Sequence, residues 1–326
     1  MVKFLIIRFS SIGDIVLTSP VIRCLKKQVD EARIHYLVKK KFSTLVSSNP
    51  YINKVHLFDN DLNKTIEELK AEDFDYLIDL HKNIRSSMIK LRIRTIPFSF
   101  HKQNLNKWLL IHLKINRIPD IGIVERYLDA VKTFDITNDG NGLDYFIPEK
   151  DFISTETLPA PFRKGFVVFA IGANHATKRM PFEKIISIIR NINLPVILLG
   201  DENDKTTGDQ IVKATGNNVL NACGLYNINQ SASIIKQSNV VISHDTGLMH
   251  IAAAFNKKIV SIWGNTVPEF GMYPYLPDPA SKIIQVEDLK CRPCSKLGFE
   301  KCPRKHFRCM NDINTDQIAD LTMKLF

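Results

Sequence analysis

No stretch of the 326-residue chain approaches the ~18–20 consecutive apolar residues that a membrane-spanning helix needs. No secretory leader is expected either, because Arg8 ends the opening apolar run after only Phe4–Ile7. The expectation is a cytoplasmic protein without an anchor. Six cysteines are too few for a disulfide scaffold. None of the fourteen glycines forms G-x-G-x-x-G, and the sole G-x-G, at Gly140 and Gly142, falls in a turn-rich stretch. Walker-type G-x-x-x-x-G-K-[ST], H-E-x-x-H and G-x-S-x-G are absent, so dinucleotide, P-loop, zinc-protease and nucleophile-elbow readings lose their signatures. Acidic residues are missing from His81 to Ile118, where nine lysines and arginines fall: Lys82, Arg85, Lys90, Arg92, Arg94, Lys102, Lys107, Lys114 and Arg117. These nine account for all but one unit of the formal net charge of +10. The excess reads as one cationic face, not a basic body.

What is present is an ordinary globular composition, 44% hydrophobic and 24% charged, in a chain long enough for two domains. Short apolar runs alternate with helix-compatible stretches. Phe4–Ile7, Ile34–Val38, Val55–Phe58 and Tyr76–Leu80 come first. Phe166–Ala170, Pro195–Leu199, Val240–Ser243 and Ile259–Trp263 follow a turn- and proline-rich stretch between 136 and 164 that reads as a linker. The pattern predicts an α/β chain of two tandem domains with parallel sheets, residues 1–150 and 151–326, with a ligand site expected at the carboxyl ends of the strands, in the cleft between two facing domains. Helices are expected over Pro181–Arg190, Asp204–Ala214, Ile228–Gln237 and Gly247–Phe255, with Asn314 or Thr315 capping a last helix to Phe326.

Three strand-to-helix turns are richer than structure alone requires. Ser10-Ser11-Ile12-Gly13-Asp14 follows the first strand, and small residues there admit a ligand to the backbone. Asp14 is either a helix cap or a loop carboxylate acting as general base; Pro20 favours a helix starting near Ser19, which leaves both readings open. Gly172 to Pro181 places Lys178 and Arg179 beside a helix N-terminus, a combination suited to a diphosphate as well as to a solvated turn. Ser243-His244-Asp245-Thr246-Gly247-Leu248-Met249-His250 joins another strand to another helix; His250 taken alone is as well explained by packing.

Together these blocks resemble glycosyltransferase family 9, the ADP-heptose-using heptosyltransferases of the lipopolysaccharide inner core. The resemblance rests on Arg8-Phe9-Ser10-Ser11-Ile12-Gly13-Asp14-Ile15 through Pro20, Asp79-Leu80-His81 with Arg85-Ser86, Lys178-Arg179-x-Pro181, and Asp245 through Ala254. It implies a GT-B fold and an inverting transfer in which Asp14 is the catalytic base. It further implies that Lys178, Asp204, Tyr226, Asp245, Thr246, Gly247 and His250 bind the nucleotide sugar, with Ser11, Gly13, His81 and Arg85 on the acceptor side. No metal or cofactor is implied. The implied partners are an ADP-sugar donor, a lipid-linked anionic saccharide acceptor and the cytoplasmic face of the inner membrane, without nucleic acid. The chain departs from the family at Ala173 and Asn174, where hydroxyl residues are usual, and at Met180, which stands in place of an aromatic.

The late cysteines read Cys291-x2-Cys294-x7-Cys302-x6-Cys309, which fits both a structural zinc site and four reduced thiols. Two competing functions remain. The basic 81–118 segment, with Phe98, Phe100 and Trp108 interleaved, is compatible with nucleic-acid binding. A catalytically silent binding module of the same fold is the other.

Overall fold

The computed structural model describes residues 1–216 and 218–326. The chain divides into two compact units, one formed by Met1–Lys102 and Ile121–Phe146, the other by Gln103–Asp120 and Ile147–Phe326.

The first unit opens with β1 (Val2–Ile7), whose last four residues are wholly buried, as expected of a central parallel strand covered on both faces. There follow α1 (Ile12–Val16), α2 (Ser19–Gln28), β2 (Ala32–Lys39), β3 (Lys54–Phe58), α3 (Leu62–Lys70), β4 (Tyr76–Asp79), α4 (Ile84–Arg92) and β5 (Ile96–Ser99). The strands are all parallel in the order β3-β2-β1-β4-β5. Pro20 stands second in α2, where its missing N–H costs nothing. Its core gathers Leu5, Ile7, Leu37, Ile66, Leu77 and Ile89 among others.

The chain then leaves for α5 (Asn104–His112), which belongs to the second unit, and returns for α6 (Ile123–Asp129). This corrects a simple division at residue 150. The turn cluster 138–142 is also no loose linker. Arg23, 2% exposed on α2, chelates Asp139 with Nε and Nη2 at 2.7 Å each, bonds Asp144 with Nη1, and donates to the Gly142 carbonyl at 2.9 Å. A buried guanidinium needs such partners.

The second unit contains β6 (Val167–Ala170), α7 (Phe182–Ile192), β7 (Val196–Leu199), α8 (Lys205–Thr215), β8 (Val219–Asn221), α9 (Ile228–Gln237), β9 (Val240–His244), α10 (Gly247–Ala254), β10 (Lys258–Trp263), β11 (Lys282–Gln285), α11 (Arg308–Asn311) and α12 (Thr315–Leu325). Its parallel order is β11-β10-β9-β6-β7-β8, the doubly wound arrangement. Asn314 caps α12 by accepting from the Asp316 and Gln317 amides, both at 3.0 Å. Helix α5 is held here by Leu110 against Val267 and Phe270, and by the Lys107 ammonium 5.4 Å from the Phe270 ring centre.

The nine basic residues of 81–118 are therefore not one arm: Lys107, Lys114 and Arg117 lie in the second unit. Lys107 is buried, Lys114 donates to the Cys291 and Pro293 carbonyls at 3.3 and 2.8 Å, and Lys90 lies 3.1 Å from the buried Asp79. Two of the three aromatics between them are structural too. Phe100 packs edge-on against Tyr127 at 4.8 Å, and Phe98 against Phe134 at 5.0 Å, so neither is a free stacking platform for bases.

Candidate active site

In an open parallel sheet, ligands bind outside the carboxyl ends of the strands where the order reverses. In the first unit that point lies between β1 and β4, and the Ser10–Asp14 turn and His81 follow those two strands directly. Asp14 is not the N-cap, which is Ser11, but its partner in a capping box, so it is no free loop residue either. It is the third residue of the one-turn α1, where its Oδ2 accepts from the Ser11 hydroxyl at 2.7 Å and the Ser11 amide at 3.1 Å. Its Oδ1 lies 2.5 Å from Arg8 Nη2. Arg8 is itself locked by the Ser10 carbonyl, 2.8 Å from Nε, and the Leu80 carbonyl, which accepts from Nη1. The guanidinium carbon lies 5.8 Å from the Tyr127 ring centre.

Burial works to raise the Asp14 pKa, but the Arg8 charge and the Ser11 hydrogen bonds outweigh it and hold the carboxyl below its ordinary value. Asp14 is an ionised carboxylate, its side chain still 22% exposed. His81 packs edge-on against Phe9 at 5.2 Å, and burial, with the Arg8 and Lys102 charges, pushes it down to about 4. It is a neutral imidazole. Asp79 shapes this loop from below: Oδ1 accepts from the His81 and Lys82 amides at 3.0 and 2.7 Å, and Oδ2 from Ser86 Oγ at 2.8 Å. Ser11, Gly13, Asp14 and His81 thus come together around Arg8, while Arg85 is exposed with its guanidinium carbon 5.9 Å from the Phe58 ring centre.

In the second unit the reversal lies between β6 and β9. Lys178, after β6, places Nζ 2.5 Å from Asp245 Oδ2, after β9. Thr266 Oγ1 donates to the same carboxylate oxygen at 2.9 Å. Thr246 is the N-cap of α10 but its side chain makes no capping bond, so the first amides of Gly247–Ala254 are not taken by it. An ammonium beside such a helix end is a cradle for an anion. His250 is 2% exposed and belongs to the interior of α10, whereas Tyr226 is half-buried in the turn after β8, where burial raises its pKa.

Asp204 is not open to a ligand. It is 3% exposed, takes the Arg179 guanidinium at 3.0 Å and the Asp201 amide at 2.9 Å, and burial pushes its pKa up. It positions Arg179. Two glycines make room for it: a Cβ on Gly172 would meet Asp204 Oδ2 at 2.2 Å, and one on Gly200 would meet it at 2.7 Å. Gly172→Ala is therefore expected to destabilise the fold by about 1–3 kcal/mol, measured as a lower urea midpoint. An unchanged midpoint would show that Asp204 is free to move.

His244 supports the same turn from beneath. Its Nε2 accepts from the Met180 amide at 3.1 Å, and burial holds its pKa at about 4. His56 and His81 are likewise pushed down to about 4. Their free value is about 6.5, so between the two the unfolded chain binds protons that the folded chain refuses. Stability is complete above about pH 6.5 and is lost as the pH falls toward 4. A urea midpoint that stays level across that window would refute this.

Among the described residues, His35, His56 and Glu72 bring three ligand-type atoms within 4.8 Å of one another. His35 Nδ1 and His56 Nε2 share a hydrogen bond at 2.9 Å, and Lys54 and Lys3 already stand on Glu72. Two ammonium groups oppose a dication there. No three of Cys291, Cys294, Cys302 and Cys309 meet that spacing among the described residues. The cysteine tail instead braces the Lys178 turn. Thr177 Oγ1 accepts from the Phe299 amide at 2.8 Å, the Thr177 amide donates to the Phe299 carbonyl at 3.1 Å, and Gly298 sits where a Cβ would strike His175 at 2.5 Å.

Two Rossmann-like units with parallel sheets, each with reactive or anion-binding groups at its switch point, match the GT-B architecture of glycosyltransferases. The model of glycosyltransferase family 9 (heptosyltransferase) matches residues 62–302, and the chain belongs to that family. It is similar to the lipooligosaccharide heptosyltransferase 2 of Haemophilus influenzae, 24% identical over 91% of this chain and 93% of the relative. Among solved structures it is similar to the ADP-heptose heptosyltransferase II of Escherichia coli, with a TM-score of 0.76, 21% identity, and 99% and 98% of the two chains covered. The E. coli heptosyltransferase WaaC with ADP gives a TM-score of 0.71 at 17% identity, covering 99% of this chain and all of the other. No helix among the described residues is long and apolar enough to cross a membrane.

Proposed function

We propose that this enzyme transfers a heptose from ADP-heptose to the lipopolysaccharide inner core, with inversion and without a metal. The observation that carries the reading is the Lys178 ammonium beside the uncapped start of α10, at the switch point of the second unit. That combination suits a diphosphate leaving group, since cation and helix dipole both stabilise the negative charge that develops as it departs. The relatives support the donor and acceptor: their names specify heptosyl transfer to lipopolysaccharide or lipooligosaccharide, and one solved relative holds ADP.

In the proposed step the acceptor hydroxyl attacks the anomeric carbon from the face opposite the diphosphate. Its proton passes to Asp14, the new C–O bond forms, and ADP leaves with the electron pair of the broken one. Neutral His81, beside Asp14, can hydrogen-bond the acceptor without competing for the carboxylate as a second cation. Ser11 and Arg8 aim the carboxylate. Calorimetry with ADP, ADP-heptose and a panel of other nucleotide sugars in EDTA tests the donor assignment. Binding of ADP-heptose in preference to the panel, with turnover undiminished by chelator, is expected. Turnover that stops in EDTA sinks the metal-free reading, and preference for a different nucleotide sinks the donor.

An acceptor of that kind makes the cytoplasmic face of the inner membrane the proposed place of action. The basic residues of the first unit support this, because each Lys or Arg near an anionic leaflet contributes about 1 kcal/mol.

A further inference from the structure

Helix α4 is apolar on two opposite faces. Ser86 and Ile89, with Ile93 just past its end, are buried against the first unit. Ile84, Met88 and Leu91 are 81%, 41% and 85% exposed. At roughly 100° per residue these three fall within an arc of about 60°, opposite the buried face. A helix that merely covers a sheet carries polar residues there. Arg85 and Arg92 fall together on one flank of the stripe, and Arg94 follows the helix; all three are exposed. Beyond it, the edge strand β5 exposes Ile96 at 57%.

The charge carried by the helix and the strand that follows it is of one sign. No acidic residue occurs in α4, in β5 or in the turn between them. The carboxylate beneath the helix, Asp79, is wholly buried and lies 3.1 Å from Lys90. On the neighbouring α3, Glu67 pairs with Lys70 at 3.0 Å and lies 4.0 Å from Arg92. An exposed aliphatic row flanked by arginines, with no aromatic in it, is poorly suited to stacking on nucleic acid. It matches a surface that offers hydrocarbon just beneath a layer of anionic groups.

We infer that α4 is the membrane-docking element of this chain: Ile84, Met88 and Leu91 enter the headgroup–acyl boundary of an anionic bilayer, while Arg85, Arg92 and Arg94 meet its phosphates. The inference rests on the proposed membrane-bound acceptor and narrows it to one helix. Residues 103–118, although basic, lie in the other unit and take no part. The arginines make capture salt-sensitive, and the aliphatic row gives it a component that salt does not screen.

The test is co-sedimentation of the full chain with vesicles of phosphatidylethanolamine and phosphatidylglycerol, against phosphatidylcholine alone. The wild type and Ile84→Glu/Leu91→Glu are compared, with ADP affinity and transfer to a short, water-soluble inner-core acceptor measured alongside. The wild type is expected to bind the anionic vesicles only, and raising salt from about 0.1 to about 0.5 M to weaken that binding in part. The double variant should lose at least about tenfold in vesicle binding, since each new carboxylate removes apolar contact and adds repulsion. Its ADP affinity and soluble-acceptor turnover should stay at the wild-type level. Equal vesicle binding by variant and wild type overturns the role of α4 while leaving membrane docking intact. A wild type that ignores all vesicles overturns membrane docking itself, and failed soluble-acceptor turnover by the wild type sinks the transferase reading instead. Sedimentation equilibrium showing a dimer that Leu91→Glu dissociates would assign the stripe to a second copy.

Discussion

Replacing Asp14 by Asn is expected to lower turnover by about 10²–10⁴-fold while leaving the affinity for ADP within about twofold of wild type. The amide keeps the shape of the carboxylate and can still accept from Ser11, so the turn should survive. What it loses is the charge and the capacity to take a proton. The Arg8 contact changes most: a buried guanidinium now faces a neutral amide, and some loss of stability is expected alongside the loss of rate. Stability and rate are separable. Ser11→Ala removes a hydrogen bond that positions the carboxylate but leaves its charge, and should slow transfer far less. Because Arg8 holds the Asp14 pKa below the ordinary carboxyl value, the base is ionised throughout the neutral range. The wild-type rate should therefore show no acid limb from this group above about pH 4. Transfer by Asp14→Asn at the wild-type rate would remove Asp14 from the chemistry and point to another base.

Much of this arrangement is legible in the chain. The wholly apolar runs at Phe4–Ile7 and Phe166–Ala170 announce buried parallel strands, and the turns that follow them carry the reactive residues. What escapes is whatever depends on a partner distant in sequence. Arg8 shows no role until the Leu80 carbonyl and Asp14 close around it. Helix α5 reads as part of the first domain because only the fold discloses that Leu110 meets Phe270. Strand β5 hides behind Pro97, tolerated there because it is an edge strand, and β8 has only three residues to betray it. The charge between 81 and 118 misleads for the same reason. A run of like residues in sequence is divided by the fold into a buried ion pair, a cation over an aromatic ring, carbonyl clamps and one exposed arginine-rich helix.

Lys178→Ala should weaken ADP binding by roughly 10- to 100-fold, and kcat/KM should fall further, by about 10²–10³. The two losses differ because the ammonium meets a diphosphate that gains charge as the glycosidic bond breaks, so its contribution is larger in the transition state than in the bound donor. The ion pair sharpens the prediction. Asp245 stands 2.5 Å from Lys178 and is otherwise held on that oxygen by Thr266. Without the lysine, a half-buried carboxylate is left at the mouth of the helix and repels the same diphosphate. Part of the loss in Lys178→Ala is thus repulsion by Asp245 and not only missing attraction. Adding Asp245→Asn should then recover part of the ADP affinity, on the order of 1 kcal/mol of coupling between neighbouring sites. The double variant should still fail to recover kcat, since no cation returns to the leaving group. Losses that simply add would mean that Lys178 and Asp245 act on different ligands. A double variant restored in kcat as well as in affinity would show that the N-terminus of α10 alone supplies the stabilisation.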